Sequence, residues 1–326
     1  MRRRAALQLL PALPALPALP AARAQSAPAR IGLLSPTTAQ ANAARLDTLR
    51  AALAELGYRE GHSLVIEARF ADGRFERLPD LARELVALRV QLIVAINTPA
   101  ALAAARAGGT IPVLIASVGD PVAVGLVTEL SRPGGRVTGT TNMARDLSAK
   151  RLQLLREMLP GARRLAVLTN ANDPIAAVQE ADLRAAAPAL GFELQFFDVR
   201  SPAELPAVFD AVTRWRADAV LRIAEPLLTQ HRAALVRELQ RHRLPSMLVS
   251  AAEAREGGLM SYASVEQSEY RALALYVDRV LRGADPAELP IQQATHFELL
   301  VNLRTAKSLG LGVPQALLLR ADEVIE

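Results

Sequence analysis

The sequence predicts an α/β protein of two doubly wound, parallel-sheet lobes joined at a hinge. Three observations carry this expectation. Residues 30–139 alternate short apolar runs with helical periodicity as βαβαβαβαβ, the pattern of a parallel sheet covered on both faces. After Asn142 the same alternation restarts and continues to about residue 263. No long flexible linker separates the halves.

The elements follow in order. Arg30–Ser35 reads as a strand, Asn42–Leu56 as a helix closed by Gly57, and Leu64–Phe70 as an alternating strand. Arg77–Leu88 is a helix, Val90–Ile96 an apolar strand, and Asn97-Thr98-Pro99 a turn into a helix over Ala100–Arg106. Ile111–Ala116 is a buried strand broken by Ser117-Val118-Gly119-Asp120-Pro121, followed by an expected helix at Val122–Leu130 and a strand at Arg136–Gly139. The second half gives a helix at Leu147–Leu159, strands at Leu165–Thr169, Phe192–Asp198 and Ala217–Ile223, and short strands at Ser246–Val249 and Leu259–Tyr262. One helix is expected from Pro226 to His242. The helix Val265–Leu281 is expected to return to the first lobe. The expected organisation is an N-terminal lobe over 29–142 with the return segment 264–289, and a C-terminal lobe over 143–263. The tail, 290–326, is assigned to neither, although Phe297–Val301 reads as a strand and Asn302 as the cap of a helix over Leu303–Leu309.

Composition narrows the function. The chain of 326 residues is 51% hydrophobic but only 4% aromatic, so its cores are built from Ala, Leu and Val. A formal charge of +5 and a pI near 10.1 suggest nucleic acid at first sight. Residues 1–24, however, contain Arg2, Arg3, Arg4 and Arg23 and no acid, and without them 34 basic residues face 33 acidic ones. That balance argues against a nucleic-acid surface. Met1–Arg4 is a positive n-region, Ala5–Leu19 is apolar, and Ala22-Arg23-Ala24 is a small-x-small site, the pattern of a cleavable signal peptide over residues 1–24. With no cysteine there is no lipid anchor on a cleaved Cys, no disulfide framework and no thiolate metal site, so a periplasmic protein is expected. Enzyme signatures such as GxSxG, a P-loop, GxGxxG or HExxH are missing. The four histidines, His62, His231, His242 and His296, show no ligand spacing and read as surface residues. No catalytic residue, metal or cofactor is expected.

In open α/β sheets ligands sit beyond the carboxyl ends of the strands, where helix N-termini offer free N–H groups. The polar residues at those positions are the candidate ligand contacts: Ser35, Thr98, Ser117, Asp120, Thr141, Asn142, Asn170, Asn172, Glu225 and Tyr262. A free amino acid needs donors for its carboxylate, a carboxylate for its ammonium and a wall for its side chain. Thr98 suits the first need, and Asp120 and Glu225 the second. Each also has an ordinary structural role open to it, since Asp before Pro caps helices and Glu at a helix start is favoured by the macrodipole. Tyr262 either stacks on a ligand ring or packs at the hinge.

The segments Ser117–Val127 (SVGDPVAVGLV), Ser131–Asn142 (SRPGGRVTGTTN), Glu256–Ala263 (EGGLMSYA) and Leu289–Glu326 closely resemble the ABC transporter substrate-binding proteins of the TrpX-like kind. The resemblance spans about Ala29 to Glu326. It implies the type I periplasmic binding fold, two lobes closing on a small solute, and an ABC permease as membrane partner. Aromatic amino acids are the ligands where these are known. Ala263, where glycine is usual, and Arg222–Pro226 depart from the family pattern, so ligand identity does not carry over. The expectation is a monomeric periplasmic binding protein for an amino acid or similar solute. The alternatives are a ligand-sensing protein feeding a membrane receptor and a periplasmic α/β enzyme. A repressor with the same lobes is not expected, since no helix-turn-helix is read ahead of Arg30.

Overall fold

A computed structural model describes residues 27–326; the signal-peptide reading of residues 1–24 falls outside the described residues. The chain opens with β1 (Ala29–Ser35), α1 (Ala39–Glu55), β2 (Leu64–Phe70), α2 (Leu78–Ala87), β3 (Leu92–Ile96), α3 (Asn97–Arg106), β4 (Val113–Val118) and β5 (Val137–Thr141). It continues through α4 (Leu147–Met158), β6 (Arg164–Thr169), α5 (Ala176–Ala186), β7 (Glu193–Asp198), α6 (Leu205–Arg214), β8 (Ala219–Arg222), α7 (Pro226–Gln230), α8 (Arg232–Arg241), β9 (Ser246–Leu248), α9 (Ala251–Arg255) and β10 (Met260–Ser264). Then come α10 (Glu266–Leu281), β11 (Gln292–Gln293), β12 (Phe297–Asn302), α11 (Leu303–Leu309), α12 (Gln315–Leu318) and β13 (Glu323–Ile325).

These strands form two sheets, ordered β11-β5-β4-β3-β1-β2 and β13-β12-β10-β9-β8-β6-β7. Every pairing is parallel except β10 with β12, where Met260 faces Val301. Burial on both faces explains the unbroken apolar runs. In β3, Ile93 and Ala95 enter the core beneath α2 and α3, whereas Leu92, Val94 and Ile96 enter the core shared with α1 and α10. In β6, Leu165 and Val167 face α4 and α5, and Ala166 and Leu168 face the core containing Phe209 and Leu235. α10 packs Tyr270, Leu273 and Val277 against the first sheet. The tail is shared: β11 extends the first sheet beside β5, and β12 and β13 close the edge of the second. The backbone therefore passes between the sheets three times, after β5, after β10 and after β11.

The structure corrects several local expectations. Residues 120–130 form successive turns rather than a helix. Gly125 takes φ +73°, and Leu126 N–H reaches back to the carbonyl of Pro121, which halts helical propagation. α3 begins at Asn97, so Asn97 and Thr98 lie in its first turn, not ahead of it. The stretch after Pro226 is two helices broken at His231, and β5 runs on to Thr141.

One glycine fixes the seam beside the cleft. Gly139, in β5, has φ +130°, and a Cβ there would lie 2.3 Å from the carbonyl oxygen of Ile115, where the β4–β5 register shifts. Gly139→Ala is expected to cost about 3 kcal/mol through forced separation of β4 from β5, measured by urea denaturation.

Candidate functional site

Because the strands are parallel, the carboxyl ends of β3 and β4 face those of β6, β8, β9 and β10, and a cavity of about 350 Å³ lies between them. Six helices present their N-terminal residues there: α3, α4, α5, α7, α9 and α10. Each such end carries unpaired N–H groups and a partial positive charge. The chain supplies acids for most of them. Glu225 caps α7, accepting from Leu227 N at 2.7 Å and from Leu228 N, and takes a third bond from Asn170 Nδ2 at 3.2 Å. Glu253 caps the start of α9, accepting from Val249 N and Ser250 N at 3.1 Å, and forms a fully buried pair with Arg222 at 2.6 Å. Asp173 accepts from Ile175 N at 3.2 Å just before α5. α3 and α4 differ, since neither first turn carries an acid or receives a side-chain cap, and the positive end of α3 opens onto the cavity at Asn97 and Thr98.

Three buried carboxyls border the cavity, and burial pushes each upward from its ordinary range. For Glu225 this is opposed by Arg222 and by the bonds from Leu228, Leu227 and Asn170. For Glu269 it is opposed chiefly by Ser117, whose N–H and hydroxyl donate at 2.5 and 3.1 Å, and by Thr140 Oγ1 at 3.0 Å. Asp173 has only its one backbone donor, and burial together with the charge of Glu225 pushes it up to about 8. It is the acid least satisfied by the protein itself. Among the cations, Arg45 is tied to Glu266, Arg255 to Glu323 at 2.6 Å, and Arg151 donates Nε to the carbonyl of Tyr262 at 2.8 Å. Burial and the like charge of Arg222 push the Arg151 guanidinium down. The buried amide oxygen of Asn97 lacks a donor. Ala144, Leu147, Ile175 and Val249 supply an apolar wall, and no aromatic side chain lines the cavity among the described residues.

Of the residues selected from sequence, Thr98, Ser117, Asn142 and Glu225 line this cavity. Asn170 lies behind it, supporting Glu225. The other five do not line it. Ser35 is fully buried and accepts from Asn42 Nδ2 at 3.0 Å. Thr141 donates to the carbonyl of Val118 at 2.6 Å. Asp120 caps Val122 and Ala123 and pairs with Arg145 at 2.9 Å. Asn172 is exposed. The Tyr262 ring stacks on Phe297, with centroids 6.1 Å apart, at the margin of the second-lobe core. His242 is likewise not a surface residue: its ring packs on Phe209 and bonds Thr213 Oγ1.

Sequence reasoning missed Asp173, Asn97, Arg45, Arg151, Glu266 and Glu269. A signal existed for Asp173, because Asp173-Pro174 after β6 repeats the Asp120-Pro121 pattern after β4. Glu266 and Glu269 read as ordinary first-turn acids of α10, and only the fold turns Glu269 inward.

Residues 30–325 match the family of ABC transporter substrate-binding proteins. A tyrosine-binding protein of Clostridioides difficile is 25% identical over 262 residues, which cover 80% of this chain and 74% of that protein. The structure of an ABC domain of Streptococcus pneumoniae in complex with L-Trp superposes with a TM-score of 0.85 at 25% identity, covering 92% of this chain and all of that one. A ligand-free, open substrate-binding protein of Clostridium difficile gives 0.65 at 23% identity, covering 91% and 99%.

Two outcomes follow from the buried charges. Glu253→Gln leaves Arg222 buried without its counter-charge and is expected to cost about 3–5 kcal/mol in urea denaturation at pH 7. The raised Asp173 carboxyl contributes stability fully present below its unfolded value of 3.8 and lost as pH rises through about 8. Asp173→Asn should therefore raise the melting temperature of the protein without added solute at pH 8 to 9 and leave it unchanged near pH 4, by differential scanning fluorimetry.

Proposed function

This chain belongs to the ABC transporter substrate-binding protein family, and from that membership we propose that it captures a small zwitterionic solute of the amino-acid type in the periplasm and presents it, lobes closed, to an ABC permease. The observation that carries the reading is the pairing, across one cavity, of an uncapped helix N-terminus with an under-satisfied buried acid. The α3 end at Thr98 receives the ligand carboxylate, and Asp173 receives its ammonium. Glu225 stands behind as a second negative charge, and the Asn97 amide oxygen offers a further acceptor for the ammonium. The ligand side chain rests on Ala144, Leu147 and Ile175. No bond is made or broken, so no residue is assigned a catalytic role.

Closure is the working step. Ligand contacts drawn from both lobes stabilise the closed arrangement over the open one. The closer superposition on the L-tryptophan complex than on the open, ligand-free relative supports reading the present arrangement as closed. Tryptophan and tyrosine belong in the first solute panel because of what the relatives bind, and the aliphatic wall calls for leucine and isoleucine beside them.

Isothermal titration of the purified protein against the twenty L-amino acids tests the reading; no binding across the panel at millimolar solute overturns it. For an amino acid that binds, Asp173→Asn should weaken affinity by about two orders of magnitude and Thr98→Ala by about three- to tenfold. Because the ammonium draws Asp173 into its ionised form, binding releases a proton. Affinity should rise with pH toward about 8, and the rise should vanish in Asp173→Asn. A flat profile in the parent protein would remove Asp173 from the ammonium site.

A further inference from the structure

We propose that Arg145 is a closure clasp: a positioning residue that ties the two lobes together beside the cavity and sets ligand affinity without touching the ligand. The proposal rests on the lobe-closure reading above and adds to it the residues that govern how often the lobes are shut.

Arg145 lies in the short segment between β5 and α4, where the backbone first passes from one sheet to the other. Its guanidinium reaches both ways. Nη1 donates to Oδ2 of Asp120 at 2.9 Å, in the first-lobe loop after β4. Nε and Nη2 make a two-point contact with Asp182 of α5, at 2.7 and 3.4 Å, in the second lobe. None of the three residues lines the ligand cavity.

The clasp sits where the lobes already touch. A methyl placed on Gly119 would lie 3.0 Å from Cγ1 of Ile175 and 3.2 Å from Cβ of Ala144, so the two surfaces are in van der Waals contact there. On another path between the lobes, Thr38 N–H donates to Oε1 of Gln230 at 3.1 Å, joining the β1–α1 loop to α7. That contact is a single neutral hydrogen bond. The arginine contact is charged on both sides and geometrically fixed, because the other Asp120 oxygen is held by the N–H groups of Val122 and Ala123.

Opening the lobes carries Asp120 away with the first lobe, while Asp182 stays beside Arg145. Closure therefore makes one charge-assisted bond that the open state lacks. The groups are partly exposed, so the effect is modest: the bond favours closure by about three- to tenfold. When the closed form is a minor population, that factor passes directly into the apparent dissociation constant.

The test needs no ligand, so it fails or succeeds independently of the amino-acid assignment. The chain has no cysteine, and exposed Glu76 in the first lobe and Arg237 in the second accept spin labels after Glu76→Cys and Arg237→Cys. Double electron–electron resonance on the full protein then reads the closed-to-open ratio. Arg145→Gln and Asp120→Asn should each lower that ratio by about three- to tenfold, with no further loss when combined. The parent should show the same drop in about 1 M NaCl. Melting temperatures should stay within about 2 °C of the parent, since the fold of each lobe is untouched. Asp120→Asn keeps the turn cap and the Arg145–Asp182 contact, so it decides the matter if Arg145→Gln does not fold. Coincident distance distributions for parent and variants at both salt levels overturn the proposal, as does a shift in Arg145→Gln with none in Asp120→Asn.

Discussion

Parallel strands oblige a chain to gather all their carboxyl ends, and the amino ends of the helices that follow, along one edge of the sheet. Here two such edges face each other, so six helix N-termini converge on one small space. Each end brings donors that must find acceptors, and water cannot serve them all in a narrow cleft. That requirement accounts for the buried acids. Glu225 takes two N–H groups at the start of α7, Glu253 takes those of Val249 and Ser250 leading into α9, and Asp173 takes one ahead of α5. α3 and α4 receive no side-chain cap, and of these the α3 end opens onto the cavity at Thr98. The ligand site is the remainder of this accounting, a free positive end and a partly free acid.

The acids bring their own difficulty, because several carboxylates in one buried region repel each other and resist ionisation. The structure meets it with counter-charges, one behind the cavity and one in its wall. Arg222 pairs with Glu253 and opposes the upward push on Glu225, while also donating to Thr229. Arg45 is tied to Glu266 at the head of α10. Glu269 instead relies on neutral donors, and through Ser117 and Thr140 it fastens α10 to the ends of β4 and β5. Ser117 itself sits at φ +54°, the strained conformation that turns its N–H and hydroxyl toward that carboxylate. A residue that looked like a ligand contact thus spends its hydrogen bonds holding the returning helix.

Much of the architecture was legible because it rests on local periodicity. Apolar runs such as Leu92–Ile96 and Leu165–Leu168 are unbroken since both faces of each sheet are covered. The turns at residues 120–130 were not legible, because Val122–Leu130 has helical composition and loses its helix at Gly125, where Leu126 N–H bonds back to the Pro121 carbonyl. The site divides in the same way. Thr98, Asn142 and Glu225 were recoverable as polar residues at strand ends. Asp120 and Asp173 share one sequence pattern, yet Arg145 draws the first to the lobe seam while the second stays at the cavity with a single backbone partner.

The amino-acid sequence by itself determined the class of fold, the pair of lobes and the family, because these follow from hydrophobic pattern, turn chemistry and extended motifs that act along the chain. Which polar side chains share the cavity was decided only by the tertiary structure. Arg45, Glu269 and Asp173 stand far apart in the chain, and their common surroundings exist only once three passages of the backbone bring the sheet edges face to face. Burial, and the electrostatics that come with it, are properties of that meeting and not of any segment alone.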